Sequence, residues 1–188
     1  MAKRGKSLIS VFFVLLLVAA AVGYYFYKQI YGANVNIDGE LSEITIPSGT
    51  ELDNLAEILL TNNQIKDKSS FLFTAQRMKF FNIKPGKFEL QSGWSNVDLI
   101  RHLRSGNQKP VKFTFNNIRF IEELGDLLDE KFEMKGDDFV NLIQDESFLS
   151  SKGYEKATIM SMFIPNTYEM YWNISAEEFI ERMEKEHK

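Results

Sequence analysis

The sequence predicts an α+β protein carried on a single N-terminal membrane-crossing helix. Three observations lead there: an uncharged apolar run over residues 8–27, short stretches of alternating apolar residues, and longer stretches with apolar residues at helical spacing.

Residues 8–27 read LISVFFVLLLVAAAVGYYFY. At 1.5 Å per helical residue, about 20 such residues span the roughly 30 Å of a bilayer's hydrocarbon. Lys3, Arg4 and Lys6 place residues 1–7 in the cytoplasm by the positive-inside bias, and Tyr24, Tyr25, Phe26 and Tyr27 form an aromatic belt at the far interface. The small residues 19–21 would also suit a signal peptidase, but the run is too long for a cleaved signal and continues straight into aromatics. The chain has no cysteine, which excludes a lipid-modified cysteine anchor.

Charge separates the anchor from the rest. Four of the 22 basic residues and none of the 26 acidic ones fall in residues 1–28, so the remaining 160 residues carry 18 basic against 26 acidic groups, about −8. Such a surface repels phosphate backbones and disfavours nucleic acid as a partner. Its length suits one ordinary domain or two small ones.

Residues 28–43 read as a polar juxtamembrane tether, with a tight turn at Asp38-Gly39. Ile44 and Ile46 alternate as a strand. A helix with Thr50 and Asp53 as an approximate capping box comes next, with Leu52, Leu55, Ala56, Leu59 and Leu60 on one side, stopping near Asn62-Asn63. A second helix is expected over 70–81 with Phe71, Leu72, Ala75 and Met78 inward, then a turn at Pro85-Gly86 and a strand over 87–90. A third helix begins at Ser95, boxed by Asp98, and ends at Gly106. Beyond it lie a strand over 111–115, a helix with Phe120, Ile121, Leu124, Leu127 and Leu128 on one side, and a short amphipathic helix in DDFVNLIQD. In MFIPNTYEMYWN, residues 162–173, alternation puts Glu169 on one face and Tyr168 and Met170 on the other. A last helix is capped by Ser175 with Glu178 and carries Phe179, Ile180 and Met183 on one face. Neither a glycine cap nor a later element to bury that face is legible.

The stretch IPSGTELDNLAEILLTNNQIKDKSSFLFTAQ, within a strand-helix-helix-strand order, resembles a LysM-type peptidoglycan-binding module. With GKFEL, LRSGNQKPVKFTF and FIPNTYEMYW after it in that order, residues 3–188 resemble the endolytic murein transglycosylases of the MltG (YceG-like) family. The resemblance implies a cytoplasmic tail (1–7), a transmembrane helix (8–27), a tether (28–43), a LysM-like βααβ module (44–109) and the incomplete start of an α+β transglycosylase domain (110–188). It also implies a single-pass protein of the bacterial cytoplasmic membrane, with the C-terminal part outside, in contact with glycan strands, the bilayer and peptidoglycan synthases.

The family's activity is cleavage between N-acetylmuramic acid and N-acetylglucosamine within glycan strands. One carboxylic acid protonates the leaving oxygen while the muramic 6-hydroxyl closes on the anomeric carbon, leaving a 1,6-anhydro end. Where the family reads Glu-Gly-Tyr-Leu-Phe-Pro-Asp-Thr-Tyr, this chain keeps Pro165, Thr167 and Tyr168, has Asn166 in place of Asp, and has Met160 and Ser161 in place of Glu-Gly. Asn166 can orient a sugar but cannot exchange a proton. The resemblance places the catalytic Glu in a later Ser-Ile-Val-Glu-x-Glu-Thr pattern, expected beyond Lys188, so these residues are expected to be an inactive fragment. Asn166, Tyr168, Tyr171 and Trp172 are the candidates for a glycan cleft, with Glu169 the fallback acid. Their bland alternatives are core packing for the aromatics and an outward strand carboxylate for Glu169.

His102 and His187 are isolated, which argues against a metal, and no nucleotide or serine-hydrolase motif implies a cofactor or nucleophile. Apart from the enzyme, two readings stand: a non-catalytic membrane-anchored glycan binder and a bitopic scaffold of the cell envelope.

Overall fold

The computed structural model describes residues 2–156 and 158–187, with side chains from residue 11 onward. Lys3, Arg4 and Lys6, on which the orientation of the anchor rests, are therefore outside the described side chains, as are residues 8–10. The chain is α+β and divides into two units. The first comprises residues 1–44, 50–84 and 89–107, and the second 45–49, 85–88 and 108–188.

In the first unit, α1 (Ala2–Tyr31) carries exposed apolar side chains around its circumference from Val11 to Tyr27. By length and composition, Val11–Tyr31 is long and apolar enough to cross a membrane. Residues 28–43 depart from the expected tether. The helix continues through Tyr31, Asn34 and Val35 are buried, and their backbone N–H groups both donate to the Trp94 carbonyl. No strand pairing forms around the Asp38-Gly39 turn, although Gly39 takes the positive φ, 91°, that a tight turn demands. The difference arises from Asn34. Its Nδ2 donates to Asn96 Oδ1 at 2.7 Å and to the Asp67 carbonyl at 2.9 Å, while its Oδ1 accepts from the Asp67 N–H. Asn96 in turn donates to the Gln29 carbonyl of α1 and to Ser70 Oγ. Partners 62 residues away left no trace in the local pattern.

β1 (Leu41–Ile46) and β2 (Gly86–Gln91) pair as a two-stranded sheet. Between them come α2 (Leu52–Thr61) and α3 (Lys68–Arg77). α2 lacks the expected Thr50 box, because Glu51 is its N-cap and makes no side-chain capping bond. α3 starts two residues before the expected Ser70 and ends four before residue 81, since Asp67 accepts from the Ser69 N–H and Lys79 turns left-handed (φ 53°) after the helix. α4 (Asn96–Ser105) matches its expectation, with the reciprocal Ser95–Asp98 box and a left-handed Gly106.

In the second unit, β3 (Val111–Phe115) pairs antiparallel with β4 (Asn166–Met170), Phe113 opposite Tyr168. Between them lie α5 (Ile121–Lys131), α6 (Gly136–Gln144), α7 (Glu146–Lys152) and a 3-10 turn at Ile159–Met162. Phe120, expected on the apolar stripe of α5, is its exposed N-cap. α7 escaped the sequence reading because seven residues are too few to show a period. Asp145 caps it, accepting from the Ser147 hydroxyl and the N–H groups of Ser147 and Phe148, bonds that hold its carboxyl below the usual range. In α8 (Ala176–His187), the face thought to lack cover is buried: Ala176, Phe179, Ile180 and Met183 all enter the core.

α5 and α6 touch at two glycines. A Cβ on Gly136 would collide with the Gly125 carbonyl, and one on Gly125 would come within 2.9 Å of Val140 Cγ2. Gly136→Ala must force backbones apart, so it is expected to cost about 1–3 kcal/mol in urea unfolding, the range for overpacking. A change within a few tenths would show that the helices yield freely.

The half-buried His102 ring lies against Trp94, centroids 4.9 Å apart, and burial holds its pKa below 6.5, partly opposed by Glu89. The unfolded chain therefore takes up this proton first as the pH falls. Stability from this group is complete above about 6.5 and declines below it, until the folded state is protonated too. Thermal unfolding of the wild type between pH 7.5 and 5.5 is expected to fall more steeply than that of His102→Gln. Parallel curves would refute the assignment.

Candidate functional site

The residues around β4 separate by the two-fold alternation of the strand. Tyr168 points inward. It is 4% exposed, stacks on Phe115 (centroids 5.5 Å, planes at 17°), and donates its hydroxyl to the Ile164 carbonyl at 2.6 Å. Burial pushes the phenol pKa up, Glu186 adds to the rise, and Arg182 opposes it. The ring is part of the core and has no free face for a sugar. Asn166 is exposed, and its Oδ1 accepts from the N–H of Thr167. Trp172 is half-buried and offers its backbone carbonyl to the Glu133 N–H. Glu169 points outward, its side chain 61% exposed, with the Lys112 ammonium 3.8 Å away on the opposing strand.

Past the strand, Tyr171 is 54% exposed and lines an open groove of about 680 Å³. β4 and the loop after it form one wall, with Glu169, Tyr171 and Asn173. α8 forms another, with Glu178, Arg182 and Lys185, and Gln108 and Pro110 complete it. Capping fixes the α8 wall: the Ser175 N–H donates to Glu178 and the Glu178 N–H donates to Ser175 Oγ. The core contacts of Phe179 with Phe113, Phe139 and Phe163 hold the helix down.

Two residues lining this groove, Gln108 and Asn173, have side-chain oxygens that are buried without a hydrogen-bond partner, that of Gln108 packed over the Gly86 backbone. A buried acceptor left unpaired costs about 1–3 kcal/mol. An exposed aromatic ring with amide, carboxylate and cationic side chains around it can hold a polar ring-bearing ligand by stacking and hydrogen bonds. The sequence reading found Tyr171 and missed Gln108 and Asn173, which lie 65 positions apart and share no local motif.

Asn173 also lines a second groove of about 590 Å³ with Glu133, Asp138, Asp145 and Glu177. Among the described residues no group of three or more His, Asp or Glu is arranged to hold a metal ion.

Comparison with known proteins bears on the same region. The chain is 25% identical to endolytic murein transglycosylases from two strains of Streptococcus pneumoniae, D39 and R6, over 82% of its own length and 31% of theirs. It therefore spans about a third of those relatives. A crystal structure of a YceG-like protein from Listeria monocytogenes is 21% identical, with a TM-score of 0.44, over 80% of this chain and 54% of that one. The YceG-like family model matches residues 44–188, well over half the chain, and the chain belongs to that family.

Proposed function

We propose that these residues are the anchoring and glycan-holding part of a membrane-bound endolytic peptidoglycan transglycosylase. Family membership and relatives carrying that name support the reaction class. The observation that carries the binding role is the open groove lined by the exposed Tyr171 ring and by the side chains of Gln108 and Asn173. Sugars present apolar faces that stack on an exposed ring, together with hydroxyls and acetamido N–H groups that need acceptors.

α1 supplies a single-pass anchor, with the N-terminus cytoplasmic and the residues that follow the helix outside. The β1-α2-α3-β2 order supports a LysM-like module as a second glycan contact. Glu169 is not the acid. Protonating a glycosidic oxygen requires a carboxyl kept partly from water, and this one faces solvent beside an ammonium. The acid belongs to a part of the enzyme outside these 188 residues, in the family's Glu-containing helix.

Incubating the chain with intact peptidoglycan, followed by sedimentation and mass spectrometry of the soluble products, tests the reading. Co-sedimentation without new 1,6-anhydro ends is expected. Anhydro ends would mean that an acid within these residues does the chemistry, and failure to sediment would remove the glycan role.

Tyr171→Ala removes the exposed ring without touching the core. It is expected to weaken glycan binding by about 1 kcal/mol, roughly five-fold in Kd, at unchanged Tm. Asn173→Ala removes an acceptor at the same groove and should act in the same direction. Unchanged affinity in both variants would move the binding surface elsewhere.

A further inference from the structure

The end of α3 points back at the bilayer. Three contacts set its direction against α1: Asn34 with Asp67, Gln29 with Ser70 through Asn96, and Phe26 stacked on Phe73 at 5.6 Å. As the numbering falls from 34, just past α1, to 26 within it, it rises from 67, the N-cap of α3, to 73 within that helix. α3 therefore runs antiparallel beside the outer end of α1 and descends toward the membrane. Phe26 belongs to the aromatic belt, so Phe73 sits at belt height. Arg77 lies one turn further on, about 6 Å along the helix.

The chemistry at that tip differs from the rest of the outer surface. Residues 68–84 contain Lys68, Arg77, Lys79 and Lys84 and no acidic residue, in an outer part that is otherwise net acidic. The Arg77 guanidinium lies 5.2 Å over the Phe73 ring. Arg104 of α4 reaches the same turn, donating to the Met78 carbonyl at 2.6 Å and lying 5.7 Å from the Phe80 ring centroid. Phe81, just beyond the left-handed Lys79, is 64% exposed. An aromatic ring held in the open among cations suits the boundary between headgroups and hydrocarbon, where rings insert and Lys and Arg meet phosphates.

We propose that the tip of α3, with Phe81 inserted and Arg77 and Lys79 on phosphates, is a second membrane contact that binds anionic phospholipid headgroups of the outer leaflet. It rests on the reading of α1 as a membrane span. The first unit then lies against the bilayer instead of swinging on a tether.

The absence of native cysteine makes the test direct. The full chain is reconstituted in phosphatidylcholine vesicles with and without phosphatidylglycerol, carrying one environment-sensitive fluorophore at Phe81→Cys, Thr61→Cys or Val14→Cys. Quenching is then read from lipids with a quencher at headgroup depth or in the acyl chains. Phe81 and Thr61 are exposed, so these labels leave the core intact. Headgroup-depth quenching at 81 and none at 61 is expected. It should rise with phosphatidylglycerol and fall by roughly two-fold or more in the Arg77→Glu, Lys79→Glu double variant. If the 14 label is quenched from the acyl chains while 81 stays as wet as 61, the anchor stands and this contact is overturned. If the 14 label is not quenched, the span itself fails and the contact fails with it. Quenching at 81 that ignores both lipid charge and charge reversal would overturn the headgroup recognition.

Discussion

The side-chain amide of Asn34 is the constraint on which the first unit depends. It joins the chain leaving α1, the turn that opens α3 and the start of α4, and every hydrogen-bonding atom of the amide is used. A buried amide is costly when any of its atoms lacks a partner, and each bond gains strength in a poorly polarisable interior. That asymmetry makes the arrangement all-or-none: the three segments come together in one geometry or the amide is better off in water. The isolated bridges Ala33 to Ser95 and Val35 to Ile65 run along the same seam and lock it further. A helix that would otherwise end in a swivel is thereby built into the unit it carries.

The second unit is organised by a different kind of contact. Phe179, fully buried, meets Phe113 and Phe139 edge-on and Phe163 in a stack. One side chain of α8 thus ties the helix to a strand, to α6 and to the segment before β4. Edge-to-face geometry adds about 0.5–1.5 kcal/mol per aromatic pair beyond the area buried. Position matters as much as energy, because α8 is a wall of the groove. Only with Phe179 seated do Glu178, Arg182 and Lys185 face Tyr171 and Asn173 across it.

What the sequence made legible was local. The boxes at Ser95 and Ser175 need only four residues each, and both occur as read. The inward turn of Tyr168 and Met170 is set by period-two alternation, which any strand at that place must obey. The misses required distant information. Nothing between residues 28 and 43 announces that Asn34 will find Asn96, and nothing near Gln108 announces a groove shared with Asn173. The cover over the apolar face of α8 was likewise invisible, since it is supplied by residues from β3 and α6 rather than by a later element.

The outer face of the β3–β4 pair shows how far strand pairing accounts for its side chains and where that account stops. Lys112 stands opposite Glu169, and Thr114 opposite Thr167 with their hydroxyls 2.8 Å apart. Opposite charges and paired threonines are common cross-strand partners, each contributing about 0.2–1 kcal/mol to holding the register. Glu169 is thus accounted for by sheet pairing alone, and its surroundings of water and ammonium lack the desolvation that acid catalysis requires. The ladder ends at Met170, and residues 171–173 are free of the register that a partner strand imposes. There the chain turns Tyr171 outward and leaves Asn173 Oδ1 buried without a partner. A fold that satisfies its polar groups along the strand and leaves an acceptor unpaired directly after it bears a cost of about 1–3 kcal/mol at the point where the ladder's constraint ends.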